Sequence, residues 1–240
     1  MQDDYWAQSV QPLNCLTFVV PLLALYEVGV VSAGSTALRN GADVWLRGWL
    51  ATFGFDQHFF LPLITCGLLL GWHHLTRREW SIRTEVVSGM VCESVMLGVS
   101  FVVLAQICGH LVHSQASVHA AMQLRGDESS RVPVVLSYLG AGIYEELLFR
   151  LLLLSGTIAF CRKIGADHVS ATWLGVMSSS LLFAAAHYAL FFQVGFSFTW
   201  YSFVFRMAAG VLLSILFLRR GFGIAVGAHC VYDILVATFA

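Results

Sequence analysis

The stretch LGAGIYEELLFRLLLLSG, Leu139 to Gly156, decides how the chain is read. Its apolar residues have the run of a helix that crosses a bilayer, yet its middle carries Glu145, Glu146 and Arg150. An ionised side chain at the bilayer centre costs about 2.5–3.5 kcal/mol on insertion scales, so such residues face the interior of a helix bundle and usually have a task there. Glu146 and Arg150 stand four apart with the carboxylate on the N-terminal side, the favourable order for a pair on one helix face. Glu145 lies about 100° around the helix and has no partner in its own segment.

The rest of the composition agrees with a membrane setting. The 240 residues are 58% hydrophobic and 11% charged, with mean hydropathy +0.76, against about 25% charged in soluble domains. Helices satisfy their own backbone in lipid, so the expected fold class is an all-α polytopic membrane protein. A net charge of -1 without any basic tract argues against a nucleic-acid partner. Cys15, Cys66, Cys92, Cys108, Cys161 and Cys230 form no CxxC pair and lie in or beside apolar segments, which favours core packing over disulfides or a metal set. The acidic start MQDDYWAQSV lacks the basic region of a cleaved signal, so the first apolar segment reads as a retained anchor.

Seven spans are expected, at roughly 13–35, 58–75, 85–113, 132–160, 170–194, 198–218 and 222–240, each near the ~20 residues a bilayer core requires. The piece from Asp43 to Gly54 is shorter, and Trp45, Trp49 and Leu50 can share one face, as in an interfacial helix or an ordinary loop. Arg77, Arg78, Arg83, Arg162, Lys163, Arg219 and Arg220 fall on one side of these spans, and Arg39, Arg47, Arg125 and Arg131 on the other. The positive-inside rule then puts the N-terminus in the cytoplasm and the C-terminus outside, in a cell (inner) membrane. Residues 1–130 would supply N-terminal helices and the amphipathic segment, and 131–240 the site, within one integral membrane domain.

Further charges collect in the last helices: His187, Arg206, His229 and Asp233. Phe183 and His187 are four apart, as are His229 and Asp233, and each pair shares a helix face. Counted from the basic helix ends at ~1.5 Å per residue, Glu145 and His187 sit roughly 22–26 Å deep, but His229 only ~10 Å. Gly223 and Gly227 form a GxxxG that favours close packing. Glu27 and Glu93 are expected to join a buried polar cluster with Arg206. His110 and His113 read as interfacial, and His73 and His74, beside a basic loop, as solvated.

In order, EELLFR, FAAAH and HCVYD resemble the EExxxR, FxxxH and HxxxN/D motifs of the CPBP family of intramembrane proteases, which includes the type II CAAX prenyl endopeptidases. The resemblance covers about residues 130 to 240. It implies a membrane endopeptidase acting on a peptide or protein substrate. By that resemblance Glu145 is the general base on a water that His187 also holds, and Glu146 with Arg150 fixes the helix, supported by Phe183. His229 and Asp233 face the scissile carbonyl. The prenyl endopeptidases carry Asn in the last position, and an ionised Asp233 cannot donate to an oxyanion, so an orienting role on His229 is preferred. The resemblance implies no cofactor. The alternative is a zinc held by Glu145, His187 and His229. A non-proteolytic scaffold of the same fold and a proton-coupled transporter are the competing functions, the latter because Glu, His and Asp chains also relay protons.

Overall fold

Charged side chains buried at three levels of the bundle set how its helices meet. The computed structural model describes residues 3–34, 37–111, 131–188 and 198–239, and each element in them is helical: α1 (Asp3–Ser9), α2 (Pro12–Ala33), α3 (Gly41–Thr52), α4 (Phe60–Leu75), α5 (Thr84–Leu111), α6 (Arg131–Glu145), a π-helical stretch Glu146–Leu154, α7 (Ser155–Lys163), α8 (His168–Ala186) and α9 (Trp200–Phe239). Among the described residues, four helices are long and apolar enough to cross a membrane: Pro12–Ala33, Thr84–Gly109, His168–Ala186 and Trp200–Thr238. Their outer faces expose large apolar side chains such as Leu25 and Val28 of α2, Met96 and Val103 of α5, and Leu174 and Leu181 of α8. Such a surface fits lipid rather than water. The chain is an integral membrane protein.

The local signals are ordinary. Pro12 opens α2, where its missing N–H costs nothing. Asp167 caps α8 by accepting from the Val169 and Ser170 N–H groups, and the Ser170 hydrogen bonds hold its carboxyl below the usual carboxylate range. Arg162 and Lys163 close α7, where cations suit the helix C-terminus. Less ordinary is α9. Its 40 residues would run about 60 Å at ~1.5 Å each, twice the hydrocarbon thickness. It is interrupted at Gly221, with φ 80° and ψ 177°, a conformation that is essentially glycine's alone. Beyond the break, Gly223 admits α2 and α5: an added Cβ there would stand 2.7 Å from Met90 Cε and 3.1 Å from Cys15 Cα.

At the end of the bundle near the break, α1 folds onto α5 and α9. The Arg220 guanidinium makes two 2.6 Å contacts with the Glu93 carboxylate, Tyr5 donates to Glu93 at 2.6 Å, and the guanidinium lies 3.9 Å from the Trp6 ring centroid. This corrects the depth reckoned for His229. Arg220 is only 7% exposed and is not a surface marker, because it is tied to a carboxylate about 14 Å along α5 from its start. His229, a further nine residues on, gains roughly that same depth and reaches the level of Glu145.

The second level corrects the expected cluster with Arg206. Glu27 is 2.7 Å from Arg47 Nη2 and 3.0 Å from His58 Nε2, and it accepts from the Tyr144 hydroxyl at 2.5 Å. Asp43, fully buried, accepts from Tyr26 at 2.7 Å, Arg39 at 2.7 Å and Arg47 at 2.6 Å. Arg47 also donates to the His58 carbonyl. Burial disfavours its charge, but Asp43 and Glu27 outweigh this and hold the guanidinium above its ordinary value. Arg206 instead donates to Ser202. The sequence supplied no reason to bring Arg47 inward. That reason is α3, which is a helix and not a loop, with Trp45 and Trp49 exposed and stacked at 6.3 Å and Leu50 partly buried on the core.

Other side chains depart from expectation more simply. His73 is buried rather than solvated, because Trp80 from the following loop covers it edge-on at 4.7 Å; His74 is exposed. All six cysteines are free, but Cys92 faces outward from α5 rather than into a core. His113 lies outside the described residues, as do positions 189–194 of the expected fifth span.

Candidate active site

The third level of buried charge is built on the π-helical stretch. There the turns widen, and the Ser155 N–H reaches back five residues to the Arg150 carbonyl. Such widening is rare and concentrates at functional sites. Glu146 and Arg150 are both wholly buried and 3.1 Å apart. Arg150 also donates to the Gly210 carbonyl at 3.3 Å, and its guanidinium lies 4.4 Å from the Phe183 ring centroid. Gly210 allows this approach: a Cβ there would be 3.0 Å from Ser180 Cα. Phe183 is buried and sets its edge against both His187 and His229, with centroids 4.9 and 6.1 Å away. One aromatic ring thus packs against Arg150 and both histidines.

Glu145 and Glu146 reach opposite edges of one imidazole. Glu146 Oε1 is 2.8 Å from His229 Nδ1, and Glu145 Oε2 is 3.9 Å from His229 Nε2. The same Glu145 oxygen is 4.0 Å from His187 Nε2. His187 follows the end of α8, and its Nδ1 is 2.8 Å from the Phe183 carbonyl. A carbonyl only accepts, so His187 carries its proton on Nδ1 and, when neutral, turns a lone pair toward Glu145. Asp233 Oδ2 is 3.5 Å from His229 Nε2. The short hydrogen bond that orients His229 therefore comes from Glu146, with Asp233 as a longer second contact.

Accessibility divides the group. The Glu146 and Arg150 side chains are 0% exposed, while 24% of His187 and 17% of Asp233 remain accessible. The sealed pair meets no ligand, and Glu145, His187, His229 and Asp233 bound the accessible side. Glu145 has one further partner, which the sequence reading missed. Asn40 Nδ2 donates to Glu145 Oε1 at 2.9 Å across 105 positions of chain.

A zinc set was tested against this geometry. Two donors of a tetrahedral zinc stand about 3.3 Å apart, closer than the 3.9 and 4.0 Å that separate Glu145 Oε2 from the two imidazoles. Among the described residues, no group of three or more His, Cys, Asp or Glu side chains is arranged to hold a metal ion. As placed, Glu145, His187 and His229 do not form one.

The architecture defines a class: a polytopic helical membrane protein with a half-sealed carboxylate–histidine cluster. Residues 128–235, a little under half of the chain, match the family described as Type II CAAX prenyl endopeptidase Rce1-like, and this part of the chain belongs to that branch of the CPBP/CAAX protease family. Comparison with curated proteins and with solved structures found no match.

Arg150→Ala should damage the fold before it damages a chemical step. It would leave Glu146 buried and unpaired, and breaking a buried pair costs about 3–5 kcal/mol. Thermal unfolding in detergent should show a marked loss of stability. A variant as stable as the parent would show that the pair does not hold the helix.

Proposed function

We propose that the protein is an intramembrane endopeptidase of the CAAX type, cutting a peptide bond in or near the bilayer with water activated by Glu145. The observation that carries this is the convergence of two imidazole Nε2 atoms on one oxygen of Glu145, at 3.9 and 4.0 Å. Those gaps exceed a direct hydrogen bond and suit one bridging water. Glu145 takes one proton from that water while His187 Nε2 accepts a hydrogen bond from the O–H that remains. The hydroxide oxygen attacks the scissile carbonyl carbon. His229, doubly protonated, donates from Nδ1 to Glu146 and from Nε2 to the oxyanion, a hydrogen bond that strengthens in a dry site. The carbon–nitrogen bond then breaks as Glu145 returns the proton to the leaving amine, giving one carboxylic acid and one amine. No step runs through a metal.

The reading is tested on detergent-solubilised full-length protein. The substrate is an internally quenched, farnesylated peptide ending in Cys-aliphatic-aliphatic-X, with its unprenylated twin beside it. The parent should cut at least one of them, with a chelator present or absent, and Glu145→Gln should abolish cleavage while the protein stays folded. No cleavage of either peptide, or a Glu145→Gln variant near parental rate, overturns the assignment. Cleavage lost on chelation and restored by zinc overturns its metal-free step.

We further propose that Asp233 acts through His229. A carboxylate facing the oxyanion would oppose the developing charge, whereas one beside His229 favours an imidazolium. Asp233→Asn should keep substantial activity, since Asn accepts from His229 and can also donate. His229→Ala should lose on the order of 10²-fold or more, as for a lost oxyanion donor. An Asp233→Asn variant as inactive as His229→Ala would mean that the carboxylate itself is required.

For topology we propose seven spans in one membrane domain, the two parts of α9 counting separately, with the N-terminus cytoplasmic and the C-terminus outside a cell (inner) membrane. The basic residues of the loops after the second and fourth spans support it. A C-terminal alkaline phosphatase fusion, active only outside the cytoplasm, should be active. An inactive fusion beside an active N-terminal one reverses the orientation.

A further inference from the structure

Asn40 lies outside the matched stretch, yet it is hydrogen-bonded to the residue at the centre of the site. We propose that Asn40 is the positioning residue of Glu145, and that α3 exists in part to deliver it. This rests on the reading of Glu145 as the general base.

The Asn40 amide is spoken for at both ends. Its Oδ1 accepts from the Ala42 N–H at 2.7 Å, which caps α3. Its Nδ2 donates to Glu145 Oε1 at 2.9 Å. A backbone N–H can only donate and a carboxylate can only accept, so the partners fix the amide's orientation. One carboxylate oxygen is thereby occupied, and the other, Oε2, is left facing His187 and His229. Ser or Asp would cap the helix about as well. A capping Asp has no donor left for a carboxylate, and a capping Ser has only its hydroxyl, one bond nearer the backbone than the Asn40 Nδ2 that meets Glu145.

The cap is itself anchored. Three residues on, Asp43 binds Tyr26, Arg39 and Arg47, and Arg47 binds Glu27. Tyr144, the immediate neighbour of Glu145, donates to that same Glu27. The start of α3 and the Tyr144–Glu145 step are thus tied together twice, once through Asn40 and once through Glu27. The groups that bear on Glu145 are His187 of α8, His229 and Asp233 of α9, and Arg150 on its own helix, with Arg206 acting on His187 and Asp233. None of them reaches Oε1 with a hydrogen bond among the described residues, so Asn40 alone there directs which oxygen meets the water.

Two measurements test the proposal on the full chain. Asn40→Asp and Asn40→Ser both keep a cap; the first removes the donor and the second leaves only a hydroxyl one bond short of Nδ2's reach. On the quenched peptides each should lower kcat on the order of 10- to 10²-fold, the scale of a displaced reacting group, with KM little changed. The second measurement needs no cleavage. Asn40→Asp sets a carboxylate against Glu145 and should lower the melting temperature. Adding Glu145→Gln, whose amide can donate to the introduced carboxylate, should restore it. Additive melting shifts would overturn the contact. A parental kcat in both cap-preserving variants would overturn the positioning role even where the shifts couple. If the parent protein cuts neither peptide, the protease reading falls and takes the catalytic role with it, while the melting cycle still decides whether Asn40 holds Glu145.

Discussion

The neutralisation of Glu146 by Arg150 is the constraint on which the rest of the site depends. Both side chains are fully buried, and neither could stay ionised there alone without a penalty of several kcal/mol. Together they form a fixed dipole whose free carboxylate valence points at His229 Nδ1. That bond sets the imidazole's plane, and so sets where Nε2 points. The cation is held in turn by the Gly210 carbonyl and the face of Phe183, so α8 and the first part of α9 are recruited to the same pair. Remove the arginine and the helix, the ring and the histidine lose their common reference.

The same logic repeats away from the site. Glu93 with Arg220 and Glu27 with Arg47 are buried or half-buried ion pairs that join different helices, while Asp43 pairs with Arg39 and Arg47 one turn away on either side. In an apolar bundle, side chains packed against lipid-like neighbours give little preference for one register over another. A charged group that must find its partner gives a strong one. The Glu93–Arg220 contact fixes how deep the last part of α9 begins, and with it the depth of His229. The Glu27–Arg47 contact fixes α3 against α2, and Tyr144, donating to the same Glu27, ties in the helix that carries Glu145.

Much of this was legible in the sequence. The apolar runs gave the helical class, and the i,i+4 spacings gave the Glu146–Arg150 pair and the shared faces of Phe183 with His187 and of His229 with Asp233. The GxxxG at Gly223 and Gly227 marked a close packing face. What escaped has a physical reason. Depth counting assumed that an arginine marks the membrane surface, and Arg220 does not, since its partner lies inside. The widened turns of Glu146–Leu154 follow from packing and have no propensity signature. Asn40 was not singled out, although an Asn before an amphipathic run with Asp43 in its first turn is a helix-cap signal. Its second bond has no such signal, because spacing rules say nothing about a contact 105 residues away.

Two adjacent glutamates with the same chemistry acquire different tasks because their environments differ. Glu146 has one oxygen shared between a guanidinium 3.1 Å away and an imidazole 2.8 Å away, and it meets no solvent. Glu145 is held at one oxygen by a neutral amide, which orients it without cancelling its charge. Its other oxygen is buried between His187 and His229, with no donor within hydrogen-bond distance among the described residues. A neutral donor on Glu145 and a cation beside Glu146 thus set the two neighbours apart: one carboxylate is sealed against a guanidinium, and the other is oriented by an amide that leaves its second oxygen without a donor.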